Sequence, residues 1–377
     1  MVSQPAEESR VFDIAVIGAG AAGLGAASFL SGGASVLVLE REAQPAYHSS
    51  GRSAAVYIEG YENPDVARIT SAGKDFFFNP PAEADVPLVH ARGGLTVAGP
   101  GETDALNKYL QVWQPICQDL APIGHAEALE MVNILRPEWL SGALYDPTWQ
   151  SIDVHALLTT YQRMLRSQAG SLVCNATVTA LTYEQTHESA QGKRWRVDTT
   201  EGVFQATTLI NAAGAWAGEI GKMAGLDSPR LHPLRRTAVL VPAPQGSESW
   251  PLVHTIKEEL YFKPESPGLM LSPQDETPSA PTDAAPDEID VATAIDHFQR
   301  VTHFEVNQVL HSWAGLRTFT ADRRPVIGRD PANPEFVWLC GQGGFGIQTS
   351  PGLSGVLADH LLRDKPVDKN LSIERFG

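Results

Sequence analysis

Gly18, Gly20 and Gly23 stand at G-x-G-x-x-G spacing directly after the apolar run Ile14-Ala-Val-Ile17. That spacing suits the binding of a pyrophosphate. The first glycine permits a tight turn, the second lets backbone approach the phosphates, and the third lets a helix pack closely on the strand. The helix that follows would turn its free N–H groups and the positive end of its dipole toward the anion. A second apolar run, Val36-Leu-Val-Leu39, ends at Glu40, where a carboxylate can accept hydrogen bonds from ribose hydroxyls. The same acid would repel a phosphorylated ribose. A glycine turn alone is a weak signal, common in loops. Strand, turn, helix, second strand and acid at these offsets read together as the first βαβ unit of a dinucleotide-binding domain.

The elements that must position this unit belong to a chain of 377 residues, long enough for two domains with sizeable cores. Its composition is globular, and the net charge of −16 is spread along the chain. No basic footprint for nucleic acid or an anionic membrane is present. Cys117, Cys174 and Cys340 are scattered, without metal or disulfide spacing, and no histidine cluster suggests a metal site. Residues 1–11 lack the basic start and apolar core of a signal peptide, and no run of about 18 apolar residues could span a bilayer. A soluble cytoplasmic protein is the expectation.

The order of elements points to interleaved domains. After the βαβ unit comes a long loop, 41–60, then a helix from Pro64 to Phe77 stopped by Asn79-Pro-Pro, a strand from Gly93, and a helix over 102–120. Asp153 N-caps a further helix, and strands are expected over 171–181 and 194–200, joined by a polar connection. Ala206 to Asn211 reads as a strand ending in small residues, which let the chain pass close to a cofactor. Antiparallel strands are expected through 231–310, with a loop over 272–286. Ser350-Pro351 looks like the cap and first turn of a C-terminal helix.

Several segments in this order resemble the FAD-dependent D-amino acid oxidase superfamily, and within it the bacterial D-arginine dehydrogenases. They are the glycine turn, Glu40, His48-Ser-Ser-Gly-Arg-Ser-Ala-Ala, Asn211-Ala-Ala-Gly-Ala-Trp, Trp313-Ala-Gly-Leu-Arg and Gly341-Gln-Gly-Gly-Phe-Gly-Ile-Gln. The resemblance covers nearly the whole chain. It implies an α/β fold: a Rossmann-like FAD-binding domain with a parallel sheet (11–86, 146–226 and 316–377), interleaved with an α+β substrate domain on a mixed, antiparallel sheet (87–145 and 227–315). It implies cofactor contacts at Gly18, Gly20, Ala22, Gly23, Glu40, Arg41, the stretch Ser49, Ser50, Gly51, Arg52, Ser53, Ala54, Ala55 and Val56, then Val178, Gly214, and Gly343, Gly344, Phe345, Gly346, Ile347 and Gln348. The serines would be compact donors to phosphate or flavin edges, and the helix after Gly343 would point N–H groups at the flavin. No cysteine occurs in 316–320, where some relatives attach flavin covalently, so noncovalent FAD is expected.

At the substrate end the resemblance implies that Arg236 and Arg317 bind a carboxylate, a task for which the planar guanidinium fork is suited. Each could instead pair with a surface acid. Tyr261 matches a tyrosine that reaches the carboxylate, Tyr61 a tyrosine of a mobile lid, and Gly344 would offer backbone to the substrate amine. His48 invites a general-base role, but its position lies outside the family's substrate contacts and reads as a loop histidine bonded locally. Val56 and Ile58 replace a histidine and a threonine of the D-arginine enzyme, and Gly94 replaces the glutamate that faces its guanidinium. No acid occurs between Val86 and Gly101 to restore it. A drier, roomier pocket for a neutral, apolar or aromatic side chain follows.

The implied reaction is oxidative deamination of such a D-amino acid. Hydride would leave Cα for flavin N5, and the imino acid would hydrolyse to a 2-oxo acid and ammonia. No protein group need act as acid or base. Two alternatives stay open: oxidation of a secondary or cyclic amino acid of sarcosine or proline type, and a non-catalytic flavin-carrying subunit or ligand-binding protein. The electron acceptor could be oxygen, a quinone or a carrier.

Overall fold

The computed structural model describes residues 11–185, 193–257 and 259–376. The polar N-terminal stretch and the polar connection between 185 and 193 lie outside the described residues. Strand β1 (Val11–Ile17) is flanked in parallel by strand β2 (Val36–Leu39) and by Gly202–Asn211. Ser171–Val173 extends the sheet beyond β2, and Phe336–Cys340 pairs in parallel with the second half of Gly202–Asn211. These strands are apolar along their length because both faces are covered. Helix α1 (Ala21–Leu30), Val154–Ser167 and Gly346–Arg363 pack on one face, and Trp195, Phe336 and Trp338 sit in the core of the other. The hairpin Val178–Gln185 and Lys193–Thr199 splays from the first half of Gly202–Asn211.

A second, mixed sheet runs through Gln342–Gly343, His311–Thr320, Leu231–Pro242, Gly268–Ser272, Tyr261–Glu265, Leu252–Thr255, Gly94–Ala98, Gly142–Asp146 and Ala121–Ile123. Only the pairing of Leu252–Thr255 with Gly94–Ala98 is parallel along that path. Residues 316–320, grouped by sequence with the dinucleotide-binding part, are the second half of His311–Thr320 and pair with Leu231–Pro242 in this sheet. A small third sheet pairs Val56–Tyr57 and Val89–Ala91 with Gln150–Ile152. Among the described residues no helix is long and apolar enough to cross a membrane.

Several elements differ from the sequence reading. The strand expected over 171–181 is two, Ser171–Val173 beside β2 and Val178–Gln185 paired with Lys193–Thr199. The helix from Pro64 breaks at Gly73 into Pro64–Ala72 and Lys74–Phe78, because Gly73 lies against the C-terminal helix: a Cβ there would be 2.8 Å from the Gly352 nitrogen. The helix expected over 102–120 is Thr103–Trp113 only. Glu288–Val301, within a region read as strands, is a helix that packs Phe298 on Phe262. The C-terminal helix begins at Gly346, so Pro351 lies inside it. Proline leaves the carbonyl four residues earlier without its usual donor. Here that carbonyl, of Ile347, accepts a 2.9 Å hydrogen bond from the Ser350 hydroxyl. The serine that looked like a cap repairs the helix instead.

Candidate functional site

Two cavities meet at Gly20, Ser50 and Gly214, where the glycine turn faces the strand end after Asn211. The larger, about 550 Å³, runs between the sheets past Gly343 and Gly344 to Trp149 and Trp113. The smaller, about 230 Å³, passes Gly18, Glu40, Arg41 and Val178 to Trp216. Gly18 adopts φ +101°, and a Cβ on Gly23 would lie 1.8 Å from the Gly18 carbonyl oxygen, so turn and helix can approach this closely only as glycines.

Most of the expected cofactor residues line this space, but several side chains are engaged within the protein. The buried Glu40 carboxylate accepts backbone N–H groups of Ala19 at 2.8 Å and Glu42 at 3.0 Å, so it holds the glycine turn while spare lone pairs remain. Ser50 Oγ accepts the Ala21 N–H at 3.0 Å, and Ser49 Oγ donates to the Leu316 carbonyl at 2.6 Å. Ser53 Oγ accepts the Ala55 N–H. Arg52 donates to the carbonyls of Ala284 and Ala314 and pairs with Asp283, a brace between segments. Ala22, Ala54, Ala55, Gly346 and Ile347 line the larger cavity, and Arg41 lies over the Trp216 ring. Gly23, Gly51 and Phe345 do not line either cavity: Gly51 packs on the Ala46 carbonyl, and Phe345 is buried against Phe319. His48 bonds to Glu42 and packs on Trp216, the local role expected of it.

The space fits a dinucleotide by an independent test. Thr318 Oγ1, Gln342 Nε2 and Gln274 Nε2 are buried without a partner, and all three residues line the larger cavity. An unpaired buried polar atom costs about 1–3 kcal/mol, which a ligand with a polar edge would remove. The helix Gly346–Arg363 has no side-chain cap, so its first N–H groups are open to the same space.

Arg236 and Arg317 stand on paired antiparallel strands, with Arg236 opposite Gly315 and Arg317 opposite Leu234, which puts both on one face. Neighbouring Arg235 points away and pairs with Asp287 and Asp290. Arg317 Nη2 donates to the Tyr61 hydroxyl at 2.6 Å, and Arg236 Nε donates to the Asp275 carbonyl at 2.8 Å. Glu276, unforeseen from sequence, lies 3.4 Å from Arg236 and 3.6 Å from Arg317. It takes two shorter hydrogen bonds from Arg323, at 3.0 and 2.9 Å, and Arg323 also pairs with Glu62. Burial and the nearby Arg317 charge pull the Arg236 guanidinium below its usual range. Burial opposes the charge on Glu276 as well, but Arg323 and the two cavity arginines outweigh it and hold the carboxyl below the usual range. Tyr261 lines the cavity beside them.

The far end is apolar. Val56, Ile58, Trp149, Leu252, Tyr61 and Tyr261 form one cluster, and Tyr109, Trp113 and His254 complete the wall. Gln348, expected at the cofactor, accepts the Ile58 N–H at 3.0 Å and donates to the Ile58 carbonyl at 3.1 Å, so it fixes this wall. Gly94 does not line the cavity. A Cβ there would fall 2.1 Å from the indole of Trp149, which occupies the place where a side chain at 94 would stand. The expected extra room is thus filled. His254 stacks on Trp149 at 5.7 Å and accepts from Thr96, and burial drives its pKa down to about 4 against the bond it donates to the Thr255 carbonyl.

The fold is that of an FAD-dependent oxidoreductase. The chain matches the DAO family, FAD dependent oxidoreductase, over residues 13–360, and belongs to it; FAD is its cofactor. It is 28% identical to the glycine oxidase of Geobacillus kaustophilus (strain HTA426) over 274 residues, 70% of this chain and 67% of that protein. It is 23% identical to the mitochondrial sarcosine dehydrogenase of Mus musculus over 287 residues, 73% of this chain but only 31% of that protein. Crystal structures of glycine oxidase from Geobacillus kaustophilus and L-proline dehydrogenase from P. horikoshii share the fold, each with a TM-score of 0.82. The first is 23% identical and covers 97% of this chain and 99% of that one; the second is 20% identical and covers 97% and 96%.

Proposed function

We propose that this protein oxidises the Cα–N bond of an amino acid with a neutral, apolar or aromatic side chain, in the D configuration. The observation that carries the reading is the make-up of the cavity lining: Arg236 and Arg317 with Gly344 against the Arg317 guanidinium, together with the apolar cluster of Val56, Ile58 and Trp149. FAD, when bound, supplies the two-electron acceptor for the Cα hydride. Arg317 and Arg236 bind the substrate carboxylate, with the hydroxyls of Tyr61 and Tyr261 beside them. The Gly344 backbone offers a partner to the amine. The apolar wall orients the side chain and keeps water from it. A carboxylate fixed at one end and a side chain fixed at the other leave only one enantiomer with its Cα–H toward the cofactor. Loss of the Cα hydride and an amine proton leaves an imino acid, which water converts to a 2-oxo acid and ammonia.

A second reading, oxidation of a secondary or cyclic amino acid, draws support from the sarcosine and L-proline dehydrogenases among the similar proteins. It uses the same carboxylate clamp. Anaerobic bleaching of the bound flavin, screened over D- and L-amino acids and their N-methyl derivatives, separates the readings. Reduction by D-leucine or D-phenylalanine is the expected result. Reduction by N-methyl or cyclic substrates alone would shift the assignment to the second reading, and no reduction by any amino acid would overturn both.

A further inference from the structure

Glu276 is an acid beside both cavity arginines, 3.4 Å from Arg236 and 3.6 Å from Arg317. We propose that Glu276 competes with the substrate carboxylate for Arg236 and Arg317, that Arg323 restrains it, and that the pair restricts the site to amino acids with a single anionic group. The proposal rests on the carboxylate clamp proposed above.

The distances set the balance. Glu276 accepts two short hydrogen bonds from Arg323, at 3.0 and 2.9 Å, but only a long one of 3.4 Å from Arg236 Nη2, and it stands 3.6 Å from Arg317. Good N–H···O bonds lie near 2.9 Å, so the clamp forks are partly neutralised without being filled. Arg323 is itself fixed, paired with Glu62 and lying 3.8 Å over the Phe319 ring. Glu62, Gln274 and Arg323 all line the cavity and all adopt left-handed φ, at +63°, +56° and +56°. Non-glycine residues hold that conformation only where their surroundings enforce it. The rim is therefore a built frame, and Glu276 is ionised within it. An entering carboxylate gains two guanidinium groups but meets a like charge already beside them. A second acidic group on the ligand would meet Glu276 and Glu62 at the rim, where Arg323 is already paired with both.

Opposite signs follow for the two partners. Removing the Glu276 charge frees the clamp and tightens carboxylate binding. Removing Arg323 releases Glu276 toward the clamp and weakens it. The test is titration of the FAD-bound protein with benzoate and with isophthalate, read as perturbation of the flavin absorbance. For Glu276→Gln the benzoate Kd should fall about tenfold, equivalent to about 1.4 kcal/mol, and the isophthalate Kd should fall further. For Arg323→Gln both should rise several-fold. Flavin content and thermal midpoint report whether each variant is folded, and the Glu276→Gln arm decides alone if Arg323→Gln is not. A benzoate Kd that is unchanged or raised in Glu276→Gln would overturn the proposal and make Glu276 a supporting part of the clamp. No perturbation by benzoate in either wild type or Glu276→Gln, with FAD bound, would overturn the clamp and this proposal with it.

Discussion

The Arg317 guanidinium occupies the space that a side chain at position 344 would need: a Cβ built on Gly344 would lie 1.6 Å from Arg317 Nη2. Gly344 thus serves the arginine before it serves any ligand. Adding one methyl group must push the guanidinium away and break its 2.6 Å bond to Tyr61. Gly344→Ala should raise KM at least several-fold while FAD content stays normal. Arg317→Ala should do more, lowering kcat/KM by two to three orders of magnitude, since truncating a buried hydrogen-bonded charge costs about 2–5 kcal/mol. Arg317→Lys should fall between, keeping charge without the fork. Steady-state kinetics on the best substrate of the panel checks this, and near-native kcat/KM in Arg317→Ala would make the residue purely structural.

Trp149 and Gly94 stand in the same relation at the apolar end. Because the indole fills the site, Gly94→Glu should not confer D-arginine oxidation, contrary to what the loss of an acid there suggests from sequence. It should chiefly destabilise the fold. Even Gly94→Ala should cost about 1–3 kcal/mol by overpacking, measurable by urea denaturation. Full stability in Gly94→Ala would mean that Trp149 can move aside.

What could be read from sequence and what could not divides along contact distance. The glycine turn and its helix were legible because the pattern is local and each residue type has one physical task. Asp153 was legible for the same reason: it accepts the Ala156 N–H within its own helix start. Trp149, His254 and Glu276 gave no local signal. Trp149 reaches Gly94 because Gly94–Ala98 pairs with Gly142–Asp146, and it meets His254 only because Gly94–Ala98 also pairs in parallel with Leu252–Thr255, some 158 positions away along the chain. Ser350-Pro351 misled because a serine beside a proline can cap a helix or repair one, and only the Ile347 carbonyl decides which.

FAD should leave the protein intact on denaturation. No cysteine lines either cavity, and Cys340 and Cys117 are buried in the cores. Acid or heat precipitation should release all yellow colour to the supernatant, with FAD identified by chromatography. Flavin retained on the washed polypeptide would contradict noncovalent binding.

His254 should make the protein acid-sensitive. Its folded pKa of about 4 lies below the usual 6.5, so between these values the unfolded chain binds the proton more readily. The stability this neutral imidazole contributes is complete above pH 6.5 and is lost as pH falls toward 4, by up to about 3 kcal/mol. His254→Gln should show a smaller drop in unfolding free energy between neutral pH and pH near 4 than the wild type. An equal drop in both would place the acid sensitivity on other groups.

Substrate choice should follow the apolar wall. Val56, Ile58, Trp149 and Leu252 carry no charge and form one apolar cluster, and burying each methylene against them is worth about 0.8 kcal/mol. If that gain is realised in the transition state, a few carbons change kcat/KM by orders of magnitude. D-Phenylalanine, D-leucine or D-methionine should therefore exceed D-alanine. D-Arginine should fall far below them, since its guanidinium would be buried against Trp149 without a carboxylate partner. The corresponding L-enantiomers should be poor, because the proposed carboxylate clamp at Arg236 and Arg317 would turn their Cα–H away from the cofactor. Trp149→Ala should shift the optimum toward larger side chains, at an expected stability cost of about 3–5 kcal/mol. Steady-state kinetics over this panel decides the matter, and D-arginine as the best substrate would defeat the apolar reading of the wall.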